Sequence, residues 1–205
     1  MSSAANPKPL DPETLAKMQA SVIAQIERDF ATVNRVGGVS IREAGVIDDW
    51  GTDEECARAR AQDTDTHWSE VDIHNLDPGG AALTFCDPVG FRYLMPAYMV
   101  FTLRHGEYGD AESIDSDCHD SARSAAEFMD PLGGPTVHTC EQFSLFSDAQ
   151  RRCVARFLVC EIERDAMDMP ELADRALGAL KRYWMQFLDA GEADQLRKRW
   201  PQLRD

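Results

Sequence analysis

The chain has 205 residues, 43% of them apolar, with four Trp, four Tyr and nine Phe, enough to bury a sizeable core and too apolar to stay disordered. Its formal net charge is −15. A field of that sign repels phosphate backbones and anionic lipid, so nucleic-acid and membrane-surface binding are not expected, whereas a basic protein partner would be attracted.

The charge is unevenly placed. Residues 1–42 carry five basic and four acidic side chains and residues 148–205 carry eleven of each, whereas residues 43–120 hold eighteen acids against Arg58, Arg60, Arg92 and Arg104. That middle stretch alone contributes −14. The opening MSSAANPKPL reads as neither signal nor anchor, and no apolar run reaches the ~18 residues of a membrane span, so the expected address is the cytoplasm. The six cysteines, at 56, 86, 118, 140, 153 and 160, form no C-x-x-C pair and are expected as reduced thiols, most of them in the core.

Residues 1–10 read as a flexible tail, followed by one globular domain over 11–205. Asp11-Pro12-Glu13 starts a helix: Asp caps free amides, Pro fits the first turn and Glu complements the dipole. Leu15, Met18, Val22, Ile26, Phe30 and Val33 form its apolar stripe, and Gly37-Gly38 is expected to end it. Two short helices follow, each announced by a capping box, Ser40–Glu43 and Thr52–Glu55, with acids clustered at Asp48, Asp49, Glu54 and Glu55. Trp68 opens a further helical turn.

Ala81–Cys86 reads as a strand, Asp87-Pro88-Val89-Gly90 as a tight turn and Phe91–Leu94 as a returning strand, with a helix from Pro96 to Gly106. Residues 107–120 carry six acids and no Lys or Arg, the pattern of an exposed acidic loop. A short helix over 121–129, a break at Pro131–Pro135 and an edge strand or connector over Cys140–Phe146 come next. Ser147–Gln150 caps a helix with Ala149, Cys153, Phe157 and Leu158 inward, reaching about Arg164; a second helix opens at Asp168–Glu171, and a tail helix ends at Trp200-Pro201. The fold class expected is therefore α+β, a helix-dominated single domain with a small antiparallel hairpin at about 81–94 packed by the terminal helices.

Three stretches, GVSIREAGVIDDWG, LTFCDPVGFRYLMPAYM and FSLFSDAQRRCVARFL, resemble a family of uncharacterised bacterial proteins marked by a core motif of the form flD-x-x-GFRF-x-LPAYM and a downstream ft-x-x-Q-x-x-x-i-x-x-FL helix. The resemblance spans Phe30 to Leu158. Here Arg92-Tyr93-Leu94-Met95-Pro96 stands for the more usual Arg-Phe-Tyr-Leu-Pro. The resemblance implies a shared fold and assigns no chemistry.

Constellations with chemical meaning are few. Asp115, Asp117, Cys118, His119 and Asp120 offer metal donors, yet the loop glycine and terminal glutamate of a calcium site are missing, so a solvated loop is expected and no metal or cofactor is called. His67, His74 and His138 have no spacing that demands a catalytic role, and phosphate-loop, dinucleotide, nucleophile-elbow and zinc-protease motifs are absent. Arg92 lies in an apolar segment and needs a partner, Asp87 being the nearest acid; its functional reading is an anion-binding arginine beside Tyr93, Tyr98 and Trp68.

The function expected is a non-enzymatic cytoplasmic binding protein, immunity- or antitoxin-like, contacting a basic protein partner through an acidic face. The binding residues singled out are Arg92, Tyr98, Trp68, Asp48, Asp49, Glu54 and Glu55. Two alternatives stand: an enzyme with a small anionic substrate in a pocket near Arg92, Tyr98 and His67, and a structural module of a homo-oligomer.

Overall fold

The computed structural model describes residues 7–71, 81–105, 141–168 and 170–204. Eight α-helices are found among them: α1 (Pro12–Asp29), α2 (Ile41–Asp48), α3 (Asp53–Arg60), α4 (Ala81–Phe85), α5 (Pro88–His105), α6 (Asp148–Asp168), α7 (Pro170–Arg182) and α8 (Ala190–Arg199). Single 3₁₀ turns occur at Trp68–Glu70, Phe143–Leu145, Trp184–Phe187 and Pro201–Leu203. The loop expected at 107–120, the helix at 121–129 and the break at 131–135 lie outside the described residues.

The N-terminal half follows its capping signals. Asp11 Oδ1 accepts from the Thr14 amide at 2.9 Å, and α1 buries Val22 and Ile26 on one stripe. It ends at Asp29, well before Gly37, because the chain turns there to bring the Phe30 carbonyl to Trp68 Nε1 at 3.0 Å. In α3 the box closes from both sides, Glu55 Oε2 accepting from the Thr52 amide at 2.8 Å and Thr52 Oγ1 from the Glu55 amide at 3.3 Å; in α2 the Glu43 half is made, Oε2 accepting from the Ser40 amide at 3.1 Å.

The hairpin is the expectation that fails. Ala81–Phe85 is helix α4, Phe91–Leu94 lies inside α5, and no strand occurs among the described residues, so the fold is helical and not α+β. Asp87-Pro88 repeats the helix-start pair seen at Asp11-Pro12. Asp87 Oδ1 accepts from the Gly90 amide at 2.9 Å, and the Phe91 amide donates to the Asp87 carbonyl at 2.8 Å, so the supposed turn is the first turn of α5.

Pro96, taken as the start of a helix, sits inside one. A proline there cannot give an N–H to the Arg92 carbonyl and costs about 3 kcal/mol. Burial outweighs it. Phe91, Tyr93, Leu94, Met95, Tyr98 and Met99 are each at most 1% exposed, and a large apolar side chain taken fully from water contributes roughly 1.5–3 kcal/mol.

Around α5 the core is continuous. Phe91 meets Phe143 edge-on at 5.0 Å between centroids, Phe143 meets Trp184 at 4.9 Å, and Phe30 meets Phe146 at 5.8 Å. Of the segment read as an edge strand or connector, residues 141–146 are described, and they supply two of these rings from the 3₁₀ turn Phe143–Leu145 and its cap Phe146. Helices α6 and α7 pack on one another and α1 packs on α6. On α6, Cys153, Phe157 and Leu158 are inward as expected, while Ala149 is exposed and Gln150 takes the buried place. Helix α8 is locked to α6 by Glu163, which accepts from Arg199 Nη2 at 2.5 Å and from Trp200 Nε1 at 2.7 Å. Cys86, Cys153 and Cys160 are buried free thiols; burial pushes the Cys153 thiol up to about 12 and the other two higher still, so none is a thiolate at neutral pH.

Two glycines bring the entry to α2 against the start of α5, while α2 packs on α4 and α3 on α2. Asp87 Oδ1 also accepts from the Val39 amide at 2.9 Å, which ties the approach to α2 to the start of α5. A Cβ on Gly90 would overlap the Val39 carbonyl, and one on Gly38 would stand 2.6 Å from the Gly90 nitrogen. Backbone therefore touches backbone.

Replacing a helical glycine with alanine normally stabilises by up to ~1 kcal/mol. Gly90→Ala should instead destabilise by about 1–3 kcal/mol, read from the urea midpoint, because the Val39 backbone must shift.

Acid should loosen the same half of the molecule. Hydrogen bonds from Thr14 to Asp11, from Thr52 to Glu55, and from the Thr66 and His67 amides with the Thr66 hydroxyl to Glu70 hold these carboxyls below their ordinary values of 3.8, 4.5 and 4.5. A lowered folded-state pKa adds stability above the ordinary value and loses it as pH falls through the lowered one. The urea midpoint should fall on acidification below about pH 4.5, and Glu70→Gln should reduce that slope.

Candidate functional site: an acidic helix tip with an exposed tryptophan

Helix α2 closes through three backbone bonds: Asp49 N to Gly45 O at 3.1 Å, Trp50 N to Ile47 O at 3.1 Å, and Gly51 N to Val46 O at 2.8 Å. This is the helix end that normally places glycine at the residue here occupied by Trp50, since that residue turns left-handed. Trp50 has φ 58°, alone in this respect among the described non-glycine residues. Such a conformation costs an L-residue roughly 1–2 kcal/mol. The glycine stands one place later because a Cβ on Gly51 would overlap the Val46 side chain. The indole is 95% exposed, while Trp68, Trp184 and Trp200 are buried.

Carboxylates surround it in sequence and on the adjoining turn. Asp48, Asp49, Asp53 and Glu54 are exposed and form no ion pair among the described residues. Glu55 caps Thr52 and lies 4.0 Å from Arg58.

The other acids of this half are spent internally. Glu43 takes Arg60 in a two-point pair at 2.7 and 2.5 Å, and Arg60 is held protonated by it. Asp63 pairs with Arg42 at 3.1 Å. Asp65 accepts from Tyr93 Oη at 2.6 Å and lies 3.5 Å from Arg35 Nε. Burial and then the Asp65 bond push the Tyr93 phenol far above its ordinary value, so it stays protonated and donates to Asp65. Arg35 and Arg42 from the N-terminal segment thus neutralise part of the acidic stretch, while Asp48, Asp49, Asp53 and Glu54 on the tip have no ion pair among the described residues.

The residues singled out from the sequence separate into two sets. Asp48, Asp49, Glu54 and Glu55 lie together on the α2–α3 tip. Trp68 and Tyr98 are packed in the core at 3% and 0% exposure. Arg92 Nε donates to Gln150 Oε1 at 3.0 Å and not to Asp87, whose Oδ1 already serves two amides. Gln150 also gives Nε2 to the Asp29 carbonyl at 3.0 Å, so Arg92 belongs to the joint between α1, α5 and α6. His67 is half-buried, with Nδ1 2.7 Å from Ser69 Oγ and Nε2 3.3 Å from the Ala31 carbonyl. His74, His138, Asp115, Asp117 and His119 lie outside the described residues. No group of three or more His, Cys, Asp or Glu able to hold a metal occurs among the described residues.

Two clefts of the described residues lie elsewhere. One, of about 510 Å³, runs between α1, α6 and α8, with apolar walls from Met18, Val22 and Val159. Its arginines are committed: Arg156 to Glu192 and Gln25, Arg199 to Glu163. The other, of about 290 Å³, is framed by Arg35, Gly37, Gly38, Arg60 and Thr66. Arg92, Tyr98 and His67 line neither.

Trp50 was not singled out from sequence, although the signal was present. It sits in Asp-Asp-Trp-Gly between two capping boxes, directly after two acids, and the following glycine marks a helix end.

A helical protein with an acidic, tryptophan-bearing tip is thus defined. Residues 18–188 match DUF6714, a family of unknown function, and the chain belongs to that family. The matched stretch is wider than the Phe30–Leu158 span over which the motifs resemble an uncharacterised family. No curated protein and no solved structure matches the chain. No helix among the described residues is long and apolar enough to cross a membrane.

Proposed function

We propose that this chain is a non-enzymatic binding protein of the cytoplasm, immunity- or antitoxin-like, whose α2–α3 tip covers a basic protein partner. One observation carries the reading: Asp48, Asp49, Asp53 and Glu54 are exposed and, among the described residues, without an ion pair, where Glu43, Asp63 and Asp65 are consumed by arginines. Four like charges on two short helices repel one another, a cost that a cationic surface would relieve. The same field speeds encounter with a basic protein and disfavours nucleic acid and anionic membranes. Nothing in the reading calls for a metal or a cofactor.

Capture from native lysate followed by mass spectrometry tests it. At low salt the full chain should retain a protein of net positive charge, and release it as ionic strength rises, because exposed charges are screened over ~10 Å at 0.1 M. Asp48→Asn/Asp49→Asn/Glu54→Gln should lose that protein. Recovery of no basic protein, or equal recovery by the neutralised variant, would contradict the proposal.

A further inference from the structure

We infer that Trp50 is the anchor of this surface and that its indole face receives an arginine side chain of the basic partner, with the carboxylates beside it pairing with the guanidinium. The inference rests on the binding reading above and deepens it. One of the four tryptophans, the largest side-chain type, is 95% exposed, whereas the other three are at most 3% exposed. An isolated ring of this kind is not an apolar patch for a second core. Its chemistry is that of an exposed π face flanked along the chain by exposed carboxylates, which matches a flat, weakly hydrated cation.

Charge complementarity selects that occupant. Asp48 and Asp49 precede the ring directly, Asp53 and Glu54 open α3 three and four residues beyond it, and none has an internal cation among the described residues. Arginine satisfies both halves of such a site, stacking its plane on the indole while its N–H fork reaches the carboxylates; lysine offers a point charge and stacks less well. The ring is also held ready. Its backbone is fixed between two capped helices by the Trp50 N to Ile47 O and Gly51 N to Val46 O bonds, so little main-chain freedom is lost on contact. Tryptophan and arginine are the side chains that most often dominate interface energetics.

Calorimetric titration of the full chain at low salt with a hexa-arginine peptide, a hexa-lysine peptide and a neutral Ser-Gly peptide tests this. Hexa-arginine should bind, more tightly than hexa-lysine, and the neutral peptide should not. Trp50→Gly should weaken hexa-arginine by about fivefold or more, as for loss of a cation–π contact. Its urea midpoint should be unchanged or raised, since glycine suits the left-handed position; Trp50→Asn, which also tolerates it, serves as the second variant.

Unchanged hexa-arginine affinity in both variants, with loss in Asp48→Asn/Asp49→Asn/Glu54→Gln, would overturn the anchor and leave the acidic surface standing. Equal affinity for the two cationic peptides would overturn the guanidinium preference. No binding by the unaltered chain would remove both readings. A dimer of the free chain in sedimentation that dissociates in Trp50→Gly would also overturn the inference, since a second copy would then own the ring.

Discussion

The carboxylate of Asp87 joins the two parts of the structure that matter. A single oxygen accepts the Gly90 amide, which starts α5, and the Val39 amide, which leads into α2. With Gly38 and Gly90 in backbone contact beside it, the segment entering α2 is pressed against the first turn of α5, while α2 itself packs on α4 and α3 packs on α2. The path into the acidic tip is thereby tied to the start of α5. A Cβ at Gly90 would force the Val39 backbone, and with it the entry to α2, to shift.

From that seat the electrostatics sort themselves. Glu43, Asp63 and Asp65 lie on the side facing the core and meet Arg60, Arg42 and Arg35. A buried carboxylate without such a partner would cost several kcal/mol, so these pairings satisfy the need to leave no charge bare and add little net stability themselves. The acids at the far end of the two helices face water and have no such need. Among the described residues, an acid-rich sequence thus divides into ion-paired carboxylates at the base and unpaired ones on the tip, and the exposed tryptophan is on the tip.

Much of this was legible in the sequence and some was not, for physical reasons. Capping boxes at Ser40, Thr52 and Ser147 located three helices because each is a local contract between a hydroxyl and a side chain three residues on. The hairpin at 81–94 failed because a short apolar run does not tell strand from buried helix. Asp87-Pro88 carried the deciding signal, the same pair read correctly at Asp11-Pro12, and Pro96 drew the boundary to the wrong place because burial, not the proline, governs α5. Arg92 and Tyr98 look chemical in sequence, yet their partners, Gln150 for the first and the core for the second, are distant in the chain. Asp48, Asp49, Glu54 and Glu55 were visible as a cluster, but exposure of Trp50 follows from how α2 ends against α3.

The central claim is that one tryptophan of four stands in water on the acidic tip, and acrylamide quenching of fluorescence tests it most directly. The unaltered chain should show one strongly quenched component and a protected remainder, and Trp50→Phe should remove the quenched component alone. Uniform protection of all four, or a quenched component that survives Trp50→Phe, would contradict the account.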